Sequence, residues 1–224
     1  MTGDRTLKDR LSDLDLLIDF ATPQEHRQEA RALVHSYEGD SMALHVFHSF
    51  YSFLPEGQDD AVVSLRFIAA KDGIFLLCLS SLLDHYVYAG DHEKAEFLGP
   101  LRDGIWEEEV HRFFGTTREG FLKRFGKVET LSVYEPISTN DDRCRICYVF
   151  SGEFHRLGCP AEICPWCGGQ LTYCNCRFDQ ANLPPGASAE DRIDQLTRAL
   201  ARKGRIPFSP SDQQLGYPGL TEAP

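Results

Sequence analysis

No stretch of this chain comes near eighteen consecutive apolar residues, so the sequence offers no candidate membrane-spanning helix. Its first ten residues, Met1 to Arg10, alternate charge and polarity where a signal peptide would be apolar. Cysteine is nearly missing from the first 143 residues: Cys78 stands alone among Phe75, Leu76, Leu77 and Leu79, and the other seven crowd between Cys144 and Cys176. A disulfide framework distributes half-cystines through the fold it holds together, so this distribution argues against a stapled secreted domain and sets cytoplasmic placement as the expectation. Cys78 reads as a small buried hydrophobe.

A catalytic constellation is missing too. His45 and His48 lie three apart without a Glu-x-x-His partner, and Asp84-His85 and Asp91-His92 form local pairs with no serine or cysteine nucleophile placed beside them. Glu107-Glu108-Glu109 reads as the solvated start of a helix, where negative charge suits the macrodipole. No internal repeat is visible. No catalytic residue is nominated, and the balance leans away from an enzyme.

What is present suffices for an ordinary core: 42% of the 224 residues are hydrophobic and 11% aromatic. Charge is unevenly placed. Residues 1–142 carry 14 Lys and Arg against 26 Asp and Glu, a net of −12, whereas residues 143–224 carry 9 against 8. An acidic surface repels a phosphate backbone at long range, so nucleic acid is disfavoured and a basic protein is the simpler partner.

Hydrophobic spacing places a helix over 5–20 through Leu7, Leu11, Leu14, Leu17 and Ile18, and a second beginning at the capping sequence Thr22-Pro23-Gln24-Glu25. A third is expected over 41–54. Two β-rich runs, Val62 to Ala70 and Ile74 to Ser80, flank Asp72-Gly73, the signature of a tight hairpin. Short strands follow at 85–88 and 94–98, then a helix over 105–114, a capped helix opening at Thr116-Thr117-Arg118-Glu119, and a last strand over 127–134. The expected fold is α+β: N-terminal helices and a small antiparallel sheet over 1–140, a metal module over 143–180, a C-terminal helix over 188–204 capped by Ser188, and a loose tail or strap over 205–224.

The cysteines fall into four ligand pairs: Cys144 with Cys147, His155 with Cys159, Cys164 with Cys167, and Cys174 with Cys176. The first and third give Cys-x2-Cys-x16-Cys-x2-Cys, inside the range of a four-cysteine zinc ribbon. Glycines after Cys167 let backbone amides approach its sulfur. Eight ligands suit two closed tetrahedral sites, hence two zinc ions. Joining pair one to pair three and pair two to pair four gives a cross-brace, which the ribbon spacing favours; sequential joining gives two consecutive sites. A redox dithiol at Cys164-Pro165-Trp166-Cys167 would need a strand-to-helix context that the flanking pairs contradict, and an iron–sulfur cluster is the other competitor.

The stretch from His155 to Cys176, with Gly158-Cys159, Glu162, Cys164-Pro165 and Cys167-Gly168-Gly169-Gln170, resembles the cysteine-rich module of uncharacterised bacterial proteins with the pattern H-x-x-G-C-x-x-E-x-C-P-x-C-G-G-Q. The resemblance implies metal binding and a bacterial or phage context, and carries no activity. Closed sites make the zinc structural. The leading expectation is an interaction or regulatory protein, immunity-like, whose acidic domain binds a basic protein. The alternatives are a zinc-dependent or redox enzyme, and local nucleic-acid contact through Arg143, Arg145, Arg156 and Arg177.

Overall fold

The computed structural model describes residues 7–55, 57–137, 142–181, 188–211 and 213. The chain forms two compact units, residues 1–140 and 141–224. Residues 182–187, between the expected metal module and the C-terminal helix, and the end of the expected tail, 214–224, lie outside the described residues.

The first unit begins with α1 (Leu7–Ala21), α2 (Arg27–His35) and α3 (Ser41–Ser52). Leu14 and Ile18 are fully buried on α1 while Leu16 and Phe20 stay outside, as a three-to-four spacing dictates. Thr22 does not cap α2. Its hydroxyl is instead fully buried, donating to the Asp60 carbonyl at 3.1 Å, and a 3-10 turn over Gln24–His26 delays the helix to Arg27.

Next come β1 (Val62–Lys71), β2 (Ile74–Ser81), β3 (His85–Gly90) and β4 (Ala95–Pro100). The hairpin turn is built as expected, with Asp72 and Gly73 both at positive φ, 50° and 74°. After β4 the chain forms α4 (Glu108–Phe114) and α5 (Arg118–Phe125), then the two-residue β5 (Ser132–Val133). Helix α4 starts three residues later than the spacing suggests, since Ile105 is buried as a loop residue. The cap of α5 shifts by one: the Thr117 hydroxyl accepts from the Gly120 amide at 3.1 Å. Within the strand expected over 127–134, Val128–Thr130 form a 3-10 turn, and only Ser132–Val133 pair with β1.

The strands make one antiparallel sheet in the order β4-β3-β2-β1-β5. Helices α2 and α3 lie against one face. On the other face, Val110, Phe114, Phe121 and Phe125 of α4 and α5 pack on Ile68, Leu76, Cys78, Val87 and Leu98. Covering both faces explains why the central strand β2 reads as an unbroken apolar run where a half-exposed strand would alternate. Cys78 belongs to this core and is fully buried; burial pushes its thiol up to about 12, which makes it inert.

One carboxylate ties the unit's beginning to its end. Asp40 is fully buried, accepts from the Ala43 amide at 3.0 Å to cap α3, and takes the Tyr134 hydroxyl at 2.7 Å and the Ile137 amide at 2.9 Å. Tyr37, stacked on Tyr134, donates to the Tyr134 carbonyl at 2.6 Å. Asp40→Ala strands three buried donors and is expected to lower unfolding stability by about 3 kcal/mol in urea titration, with a smaller loss for Asp40→Asn.

A second test concerns pH. Burial, and next the Arg10 guanidinium whose Nη1 lies 2.8 Å from Nδ1, lower His45 from its ordinary value to about 4. The unfolded chain takes this proton near pH 6.5 and the folded chain near 4, so the contribution is complete above about 6.5 and drains away as pH falls to 4. Thermal melts across that window should show a flatter acid limb for His45→Gln than for the native chain.

Candidate metal centres

The second unit has few apolar side chains to bury. Its two small clusters form around cysteine: Val149, Ala161 and Phe208 with Cys144, Cys147 and Cys159, then Leu171 and Leu200 with Cys164. Its regular elements are α6 (Cys176–Ala181), which the hydrophobic spacing did not reveal, and α7 (Ala189–Lys203). Ser188 and Asp191 form a reciprocal capping box on α7, and Gly204 ends it at φ 89°. Leu200 faces inward as expected, whereas Ile193 is 55% exposed.

All eight predicted ligands converge, but in two consecutive groups. Cys144, Cys147, His155 and Cys159 form one, and Cys164, Cys167, Cys174 and Cys176 the other; within each, the ligand atoms lie within 4.8 Å of one another. Pair one therefore joins pair two, and pair three joins pair four. The cross-brace favoured by the ribbon spacing does not form. The reason is local: each Cys-x2-Cys turn is followed closely by a segment that doubles back, so its nearest ligands are the next pair along the chain.

The two turns are copies offset by twenty residues. The Cys144 amide donates to the Val149 carbonyl at 2.9 Å and the Tyr148 amide to the Cys144 carbonyl at 2.9 Å, while Ser151 donates to Asp142 at 2.7 Å. Twenty residues on, Cys164 donates to Gly169 at 2.6 Å, Gly168 to Cys164 at 2.9 Å and Leu171 to Glu162 at 2.8 Å. Each carries one isolated bridge, Arg143 with Phe150 and Ile163 with Gln170. Each also places a positive-φ residue directly after the second cysteine, Tyr148 at 64° and Gly168 at 75°. The sequence hid this repeat, since little beyond the two cysteines is shared between the copies.

The first centre is fully enclosed, all four ligands being buried. Cys144 Sγ and Cys159 Sγ are 3.9 Å apart, against about 3.8 Å for the edge of a sulfur tetrahedron around zinc at its usual bond length. Nδ1 of His155 lies 3.3 Å from Cys147 Sγ, so Nδ1 is the nitrogen turned into the cage. The opposite nitrogen, Nε2, donates to Gln213 Oε1 at 2.7 Å, and Gln213 Nε2 in turn donates to the Pro207 carbonyl at 2.9 Å. This outer contact fixes tautomer and ring orientation, as in other histidine-ligated sites. Phe208 packs edge-on against the imidazole at 5.2 Å.

Arg205 completes the support, pairing with the buried Glu162 (Nε to Oε1, 2.8 Å) and donating to the His155 carbonyl. Residues 205–211 and 213, expected as part of a loose tail, thus clamp the first centre. Gln213, Arg205, Glu162 and Phe208 were not singled out as supports from the sequence. Of these only Glu162 stood within the quoted motif, and the others act across roughly fifty residues of chain, a distance that leaves no local pattern.

The ligand groups of the first cage act strongly on one another's protons. Hydrogen bonds from Cys147 and Cys159 hold the Cys144 thiol far below its ordinary range, and the resulting thiolate pushes Cys159 far above it. Burial opposes charge on His155, yet hydrogen bonds to Cys144 and Cys147 outweigh it and raise the imidazole to about 10. Three thiols and an imidazole gathered within ligand distance are the donor set for a soft divalent cation.

The second centre is more open. Cys164 is buried and Cys174 and Cys176 partly so, but Cys167 is exposed. The backbone amide of Gly169 lowers the Cys167 thiol, with Cys164 adding to the effect, which is the role the glycines suggested. Of the four arginines considered for nucleic-acid contact, Arg143 is buried over the Phe150 ring and Arg177 lies over Phe178, while Arg145 is exposed.

No family model, curated protein or solved structure matches the chain. The candidate site therefore stands on its own geometry.

Chelator competition tests the contrast between the centres. Metal should leave in two phases, the faster from the exposed second centre and abolished by Cys167→Ser. Gln213→Ala should weaken only the slower phase, by about tenfold to a hundredfold in affinity.

Proposed function

We propose that the protein is a zinc-scaffolded interaction or regulatory protein whose acidic first unit binds a basic protein partner. The observation that carries the structural role of the metal is closure: each centre brings together four protein ligands, and a catalytic zinc keeps one position open for water. Three thiolates and an imidazole at the first centre favour zinc over an iron–sulfur cluster. We take the module to be of the bacterial kind it resembles. The binding role rests on charge, since residues 1–140 carry 14 Lys and Arg against 24 Asp and Glu. Among the described residues no helix is long and apolar enough to cross a membrane; the proposed setting is the cytoplasm.

Metal analysis of the purified chain is expected to return two zinc ions, with no visible absorption from iron. Stripping them should remove the fold of the second unit while the sheet of the first persists in circular dichroism, because the first unit owns a large apolar core and the second does not. Pull-down from a native extract should retain a basic protein at low salt and release it as salt rises. One exchangeable ion with an open position, or no retained protein, overturns this reading.

A further inference from the structure

The five-stranded sheet has two edges, and β4 forms one of them, with no further strand beside it among the described residues. A bare edge is a template for another strand, and proteins commonly guard it with charge. Here Glu93, Lys94 and Glu96 are exposed, but so is Phe97 at 50%. An exposed aromatic ring on an open edge strand weakens that guard.

The flanking helices wall the edge on both faces. On the α3 side an open groove of about 640 Å³ is lined by Phe50, Phe53, Tyr86, Tyr88 and Phe97, with Glu96 at its lip. Phe97 sits 5.9 Å from Tyr86 and 5.6 Å from Tyr88, and Phe53 just beyond α3 is 82% exposed. On the α4 side a second groove of about 370 Å³ is lined by Ala89, Lys94, Glu96, Glu109, Val110 and Phe113. The register matches the pleat: Phe97 pairs with Tyr88, and Glu96 pairs with Ala89 on the opposite face.

We propose that β4 is a docking edge for an extended segment of a basic protein, which adds as a sixth strand and sends alternate side chains into the two grooves. Main-chain hydrogen bonds to the edge would supply affinity, and the grooves would supply selectivity. Apolar or aromatic side chains enter the α3-side groove, while Lys or Arg side chains turn to Glu96 and Glu109 on the other. Charge selects this occupant over a second copy of the chain. Residues 1–140 carry a net −10, and self-pairing would bring two sets of Glu93 and Glu96 to one seam. The inference rests on the reading of the first unit as a binder of a basic protein, and locates the surface.

The test uses the full metal-loaded chain and a labelled, end-blocked heptapeptide alternating Lys with Phe and Val, followed by fluorescence anisotropy. Saturable binding is expected, weakened roughly tenfold by Glu96→Lys and by Phe53→Ser, the latter an exposed position where folding is not at stake. N-methylation of the peptide at every second amide should abolish binding in one register and spare it in the other. The proposal is overturned by no binding, by binding to both variants as tight as to the native chain, by insensitivity to N-methylation, or by self-association in sedimentation velocity that Glu96→Lys alters. A basic protein retained from extract equally by native chain and variants would leave the proposed function standing and remove this site. Peptide binding at the edge with no retained protein would do the reverse.

Discussion

Eight ligand side chains drawn into two cages are the constraint on which the second unit depends. Its apolar clusters are small and built largely around cysteine, too little to offset the entropy of ordering its loops. Everything else there serves the cages. The capped helix α7 lays Leu200 against the cluster containing Cys164, and the segment after it supplies Arg205, Phe208 and Gln213 to the first centre. Ligand convergence replaces the hydrophobic core as the organising interaction.

The twenty-residue offset between the two turns shows how little sequence such a structure needs. Two cysteines, a residue able to hold positive φ and three backbone hydrogen bonds define each copy. Tyr148 is a costly occupant of that conformation, whereas Gly168 meets it freely. The copies then diverge in what closes them: a histidine and a cysteine separated by three residues in a buried setting, or two cysteines separated by one residue in an open one. That difference in burial separates a protected centre from an accessible one.

The first unit is organised conventionally, by a sheet covered on both faces, and its acidity lies outside that core. Burying both faces consumes most of the apolar side chains of β2. Two of the aromatic rings that remain open, Phe53 and Phe97, line the groove beside β4. An incompletely covered edge beside an acidic surface is the feature of this unit that the packing does not need, and it is therefore where binding is most simply sought.

The α+β composition, the hairpin at Asp72-Gly73, the capped C-terminal helix and the eight ligands were legible in the sequence because each is a short-range pattern: a period, a turn dipeptide, a cap, a pair of cysteines. Errors arose where a local pattern had a distant competitor. Thr22 carries a capping sequence, yet its hydroxyl serves Asp60, thirty-eight residues away. The segment before Tyr134 alternates like a strand, but only two residues find an edge to pair with. The cysteine spacing suited a cross-brace and a sequential arrangement alike, and the backbone turns chose the latter. By itself the sequence determined which atoms are available to bind metal. Only the tertiary structure decided which of them meet, how deeply each cage is enclosed, and that Gln213 holds His155, because those depend on contacts between residues far apart along the chain.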